Sequence, residues 1–325
     1  MKNISLKNLI FLAILVFINQ IYSSECDDFM KKQIEMKPLN PANGEIYYEV
    51  HGEKNTIPLV LIHGLDSSNM TFANVVEPLA KKYKVIVYDQ RGHGNSKAEG
   101  LEYTSKTMAQ DLKALLQYLK IDKAHILGHS MGGRTAMLFA FENPQMVLSL
   151  IVEDMDARAR RAPLSKEQKE KLEAFALDLQ KKLGSRHFKD KAEIQKILTD
   201  HYQSEEEAKS VLSRRARVNE DGSVDLLFRP DVGVLYGSLG NTEEHGTTIA
   251  DIKIPILFMQ SDPQMGSAIS PKGIEHIKSN KPDANIYFFD GAGHVIHRAQ
   301  EERFIKVLET FIKDGKIDNT SFRKP

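Results

Sequence analysis

The chain is poor in cysteine: Cys26 is the only one among 325 residues. A lone cysteine excludes an intrachain disulfide, so the fold must rest on its core. An excess of either charge is also missing. Lys plus Arg and Asp plus Glu number 44 each, giving a formal net charge of zero. No global basic field is present to hold a nucleic acid. Lys/Arg-rich stretches such as Arg158 to Arg161 read as solvated helix faces. The sequence has no Gly-rich phosphate loop, no C-x-x-C pair and no H-E-x-x-H, so no cofactor and no metal is expected. It has no internal repeat and no low-complexity tract.

The uncharged apolar run Leu9 to Ile18 is too short for a comfortable membrane span. Lys2 and Lys7 precede it, and Ile21-Tyr22-Ser23-Ser24 follows with small residues. That order predicts a secretory leader over residues 1–24, hence a secreted or periplasmic protein with no stable span in the mature chain. An uncleaved membrane anchor is the alternative. Glu25 stands where lipid attachment to Cys26 would want a small residue, which argues against a lipoprotein. Asn69-Met70-Thr71 and Asn319-Thr320-Ser321 match glycosylation acceptors, which matters only in a eukaryotic host.

From about Asn40 strands and helices alternate. Strand-like runs lie at 45–50, 58–63, 84–89, 124–128, 148–153, 255–260 and 285–289, with helical stretches at 70–82, 105–120, 132–142 and 300–313. This predicts an α/β fold with a mostly parallel sheet covered on both faces. Between 157 and 250 the alternation stops. Ser165 to Leu183 and Lys191 to Ala216 are charged and helical in period, predicting a helical lid inserted between core segments 25–156 and 251–325. Leu226, Leu227, Phe228, Val234, Leu235 and Tyr236 could line a substrate pocket or form the insertion's own core.

Gly128-His129-Ser130-Met131-Gly132 carries the most chemistry. It reads G-x-S-x-G between a strand and a helix, the setting of a nucleophile elbow. The alternative is a glycine-rich turn whose serine caps the helix. His63-Gly64-Leu65 follows the strand Pro58 to Ile62, where the N–H of Leu65 could join that of Met131 as an oxyanion hole. His63 itself reads as an orienting residue. Gly291-Ala292-Gly293-His294 supplies a loop-borne base; His297, three residues on, is its competitor.

Together with Tyr88-Asp89-Gln90-Arg91-Gly92-His93-Gly94-Asn95-Ser96, these motifs resemble the α/β-hydrolases over about residues 40 to 315. The glycines and Arg91 of that last stretch read as loop-shaping, without chemistry. The resemblance implies a triad of Ser130, an acid and His294 in that chain order. The family's usual acid follows the post-lid strand, where Asp262 stands. Aligned on that strand, though, the usual position falls nearer Gln264. A branch of the superfamily carries its acid after the preceding strand, which implies Asp154. Asp154 is the preferred acid and Asp262 the alternative. Glu153 and Asp156 are neighbouring carboxylates, but Glu153 should point away from the face that Asp154 uses.

The implied activity is a serine hydrolase acting on a small ester-like substrate through an acyl-enzyme. Hydrolysis of C–C bonds or lactones is the neighbouring reaction class, and a ligand receptor with little turnover is the reading from another class. A serine nucleophile argues against a dehalogenase or epoxide hydrolase of this fold, which use aspartate.

Overall fold

A computed structural model describes residues 44–98, 103–158, 164–183, 186–227, 229–239 and 249–317. The expected leader, Cys26, Phe228 and Asn319 lie outside them.

The strands are β1 (Gly44–Glu45), β2 (Tyr48–His51), β3 (Pro58–Ile62), β4 (Lys84–Tyr88), β5 (Lys97–Ala98), β6 (Ala124–His129), β7 (Val147–Glu153), β8 (His187–Phe188), β9 (Ala216–Val218), β10 (Val224–Leu226), β11 (Ile256–Ser261) and β12 (Asn285–Phe289). Seven form the central sheet in the order β12-β11-β7-β6-β3-β4-β2. Only β2 runs antiparallel, against β4. The central strands are near-continuous apolar runs, as a sheet buried on both faces demands. Every residue of β6 is buried.

Helices cover both faces. Helix Ser105–Tyr118 starts at a capping box, in which Thr104 and Thr107 each accept the other's backbone N–H. It packs Met108, Leu112, Leu115 and Leu116 inward at helical spacing. Helix Met131–Glu142 lies on the same face. The opposite face is closed by helix Glu301–Asp314, through Phe304, Val307, Leu308 and Phe311. Helix Pro271–Asn280 was not legible in the alternation, although Ser270 caps it and Pro271 opens it.

The segment after β7 holds helices Lys166–Leu183, Lys191–Tyr202, Glu205–Arg215 and Pro230–Leu239. The single helix expected over Lys191 to Ala216 is broken at Gln203, whose φ of 55° is left-handed. Three short antiparallel strands, in the order β8-β10-β9, accompany the helices, so the insertion is not wholly helical. Its apolar cluster includes Leu172, Ile194, Leu198, Val211, Leu226 and Leu235, and also takes in Tyr103 from before β6.

Candidate active site

Strand β6 delivers Ser130 to a sharp turn. Its backbone sits at φ 52°, ψ −119°, a strained conformation for any residue with a side chain. The Ser130 N–H donates to the carbonyl of Glu153 at 2.9 Å, which ties the turn to the end of β7. The turn closes because side chains are absent where backbones meet. A Cβ on Gly132 would stand 2.3 Å from the Ile62 carbonyl oxygen. One on Gly64 would stand 2.9 Å from Nδ1 of His129. Ser130 occupies the N-cap position, but its side chain makes no cap bond. The helix begins at Met131, whose N–H has no intrahelical acceptor and lies at the positive end of the dipole. Leu65 lies in the turn after β3, close to the elbow through Gly64.

Asp154 leaves the end of β7 with φ 45°, and its N–H donates to Met259 O at 2.8 Å. Nδ1 of His294 lies 2.7 Å from its Oδ2. The Ala268 N–H also reaches Oδ2 at 2.8 Å, and the Ser267 hydroxyl reaches Oδ1 at 2.7 Å. Burial pushes the Asp154 carboxyl up, but His294 and these donors outweigh it and hold the group below the usual carboxylate range.

The neighbouring carboxylates take other partners. Both oxygens of Glu153 lie 2.9 Å from Nδ1 of His297, and Glu153 also accepts the His297 N–H at 3.0 Å. Nε2 of His297 faces the Thr71 carbonyl at 3.0 Å and its hydroxyl at 3.1 Å. Both His297 nitrogens are thus engaged away from the serine, and both side chains of the pair are fully buried. His297 lies in the one-turn helix Ile296–Ala299, before the terminal helix. The ring of His129 packs on both histidines, 4.7 Å from His294 and 5.5 Å from His297. Burial pushes His129 down to about 3, so it stays neutral. The Asp262 carboxylate accepts the N–H groups of Gln264 and Gly291, each at 2.9 Å. It braces the loop that carries His294 without touching the ring. Asp156 is paired with Arg158.

His63 does the orienting work expected of it. Its Nε2 accepts the Gln90 N–H at 2.9 Å, so Nδ1 carries the proton and donates to Gly64 O at 2.7 Å. Burial pushes its pKa well below the ordinary histidine value. Arg91 forms a buried two-point pair with Asp111, at 2.6 and 2.7 Å. Asn69 is buried and donates its amide to Glu49 at 2.8 Å, so the first acceptor match presents no site for a glycan. Of the expected lining residues, Leu226 and Leu235 belong to the insertion's core. Tyr236 instead clusters with Leu65, Met108 and Met131. The Leu227 carbonyl accepts the Gly94 N–H, and the Val234 side chain lies outside the described residues.

Among the described residues, no group of three or more His, Cys, Asp or Glu is placed to hold a metal ion. None of the described helices is long and apolar enough to cross a membrane.

The buried Glu153 gives a pH prediction. Burial raises its pKa, but the charge and hydrogen bonds of His297 prevail and hold it below the usual range. A folded pKa below the unfolded one adds stability above the unfolded value and loses it as pH falls through the folded one. Glu153→Gln therefore melts below wild type at neutral pH, and the gap narrows below about pH 4. Circular dichroism melts from pH 7 to pH 3 measure this; a gap independent of pH would contradict it.

Comparison with known proteins places this geometry. A model of the alpha/beta hydrolase fold matches residues 57–298. A 2-(acetamidomethylene)succinate hydrolase of Mesorhizobium japonicum is 23% identical over 293 residues, covering 88% of this chain and 96% of that protein. An sn-1-specific diacylglycerol lipase of Xenopus laevis is 26% identical over 271 residues, covering 79% and 80%. The solved structure of a marine microorganism esterase superposes with a TM-score of 0.60 at 27% identity, covering 82% of this chain and 98% of that one. With three quarters of its length matched and this sheet order, the chain belongs to the alpha/beta hydrolase fold family.

Proposed function

We propose that this protein is a serine hydrolase that cleaves a carboxylic ester or related acyl bond. One observation carries the reading: His294 is held 2.7 Å from a buried Asp154 in the same fold that presents Ser130 on a strained elbow. The similarity to an esterase and a lipase supports it. His294 takes the Ser130 proton as the hydroxyl attacks the carbonyl, and Asp154 fixes the tautomer and stabilises the imidazolium. The N–H groups of Leu65 and Met131 receive the oxyanion. The alcohol leaves with the proton from His294, and water then hydrolyses the acyl-enzyme. The insertion, 157–250, serves as a lid over the elbow, with Tyr236 on its inner wall.

A fluorophosphonate probe and a panel of acyl esters test this reading. The expected result is one covalent adduct, mapped to Ser130 by mass spectrometry, together with turnover of at least one ester. Absence of both would make the protein a ligand receptor. We also propose export: the mature chain begins near Ser24 or Glu25. The mass of the exported protein checks this, and an intact Met1 in a membrane fraction would mean an anchor instead.

A further inference from the structure

Helix Met131–Glu142 carries a cation that the triad chemistry does not use. Arg134 stands one turn below Ser130 and is only 9% exposed. Its Nη2 donates to the backbone carbonyls of Arg158, at 3.0 Å, and Asp156, at 3.4 Å, and touches Met155 Sδ at 4.0 Å. Its Nε is buried with no hydrogen-bond partner. Among the described residues no carboxylate pairs with it. Asp156, whose backbone carbonyl it meets, has its carboxylate engaged by Arg158 and Ser270. Among the described residues the other buried arginine, Arg91, is paired with Asp111. Backbone carbonyls alone could be met by a neutral donor. A guanidinium in this position carries a desolvation cost that a neutral side chain would avoid.

The surroundings say where an anion would come from. The guanidinium acts electrostatically on the buried Tyr236 phenol. Tyr236 packs with Leu65 and Met131, the two residues whose amides face the developing oxyanion in the proposed mechanism. Arg134 thus shares the elbow helix with Met131 and acts on the tyrosine that packs against both amide-bearing residues. Arg134 is four residue steps along the chain from Ser130, a rise of roughly 6 Å at helical spacing.

We infer that Arg134 recognises a carboxylate on the substrate, a few carbons from the scissile carbonyl, so that the preferred substrates are half-esters of short dicarboxylic acids. Arg134 is then a specificity-determining residue; it takes no part in bond making. The inference rests on the serine-hydrolase reading above.

The test compares monoethyl glutarate with ethyl pentanoate, which has a similar length and no charge. Wild type, Arg134→Met and Arg134→Lys are assayed on both, and each is titrated with the fluorophosphonate. A charge-assisted contact predicts a wild-type KM for the half-ester about tenfold or more below that for the neutral ester. Arg134→Met erases this difference by raising the half-ester KM, while its labelling rate and its ethyl pentanoate kcat stay within about twofold of wild type. Arg134→Lys keeps part of the preference. Equal losses on both esters in Arg134→Met would assign Arg134 to anchoring the 155–158 backbone and overturn the inference. A wild type that is labelled but shows no half-ester preference overturns it too, whether or not the variants fold. A wild type that is neither labelled nor active fails earlier, at the hydrolase reading, and takes the inference with it.

Discussion

Ser130→Ala is expected to lose turnover by on the order of a millionfold while keeping the native fold, as removal of a nucleophile from a serine triad does. The structure explains why the fold should survive. The Ser130 side chain makes no cap bond, so the missing hydroxyl strands no helix donor. Alanine meets the same strain at φ 52° that serine already bears, and the tie from the residue 130 N–H to Glu153 O is backbone only. Melting temperature should therefore move little. Loss of fluorophosphonate labelling in the same preparation completes the measurement. Substantial turnover by pure Ser130→Ala would remove Ser130 from the mechanism.

The second large effect separates the two acids. Asp154→Asn should lower kcat by about ten-thousandfold, the scale seen when an amide replaces a triad carboxylate elsewhere. Asp154 accepts on both oxygens. Oδ1 faces the Ser267 hydroxyl and the Ser261 N–H, while Oδ2 faces the Ala268 N–H and His294 Nδ1. An asparagine must aim its NH2 at one of these sets. One orientation sets donor against the Ser261 N–H; the other sets it against the Ala268 N–H and stabilises the wrong tautomer of His294. A stability loss of roughly 1–3 kcal/mol should accompany the kinetic one. Asp262→Asn gives up only one of two contacts to backbone N–H groups at a half-buried turn. It should keep activity within several-fold. Kinetics of both variants on one ester decide the matter. A dead Asp262→Asn beside a near-normal Asp154→Asn would move the acid to the end of β11.

What the sequence reveals and what it hides divides along physical lines. The elbow is legible because backbones crowd there and only glycine fits, as the contact of Gly132 with Ile62 demonstrates, whereas the loop before His294 is legible because Gly291 sits at φ 67° in open space. Central strands are legible because burial on both faces makes them continuous apolar runs. Pairing is another matter. Nothing local says that His297 belongs to Glu153 and His294 to Asp154, since the partners lie 144 and 140 residues apart. The Ser267 and Ala268 donors to Asp154 come from a loop with no periodic signal. Strands of two or three residues, such as β8 and β9, are too short for alternation to register. Helix Pro271–Asn280 is a different kind of omission, because Ser270-Pro271 is a readable start signal. The sequon at Asn69 misleads because burial, which no tripeptide encodes, decides whether a glycan can attach.

The clamp between Thr71, Glu153 and His297 has a consequence in time. Thr71 and His297 are 226 residues apart. A chain synthesised from its N-terminus exposes Ser130 and its elbow long before the residues that would activate it exist. The last segment brings His294 and, three residues later, the His297 ring that joins its loop to Thr71. Contacts of such long range form late, after the loops between them have closed. On the proposed mechanism Ser130 thus remains unactivated throughout elongation, and an emerging chain would not attack the acyl groups around it. Latency during biogenesis would then follow from the order of the residues along the chain.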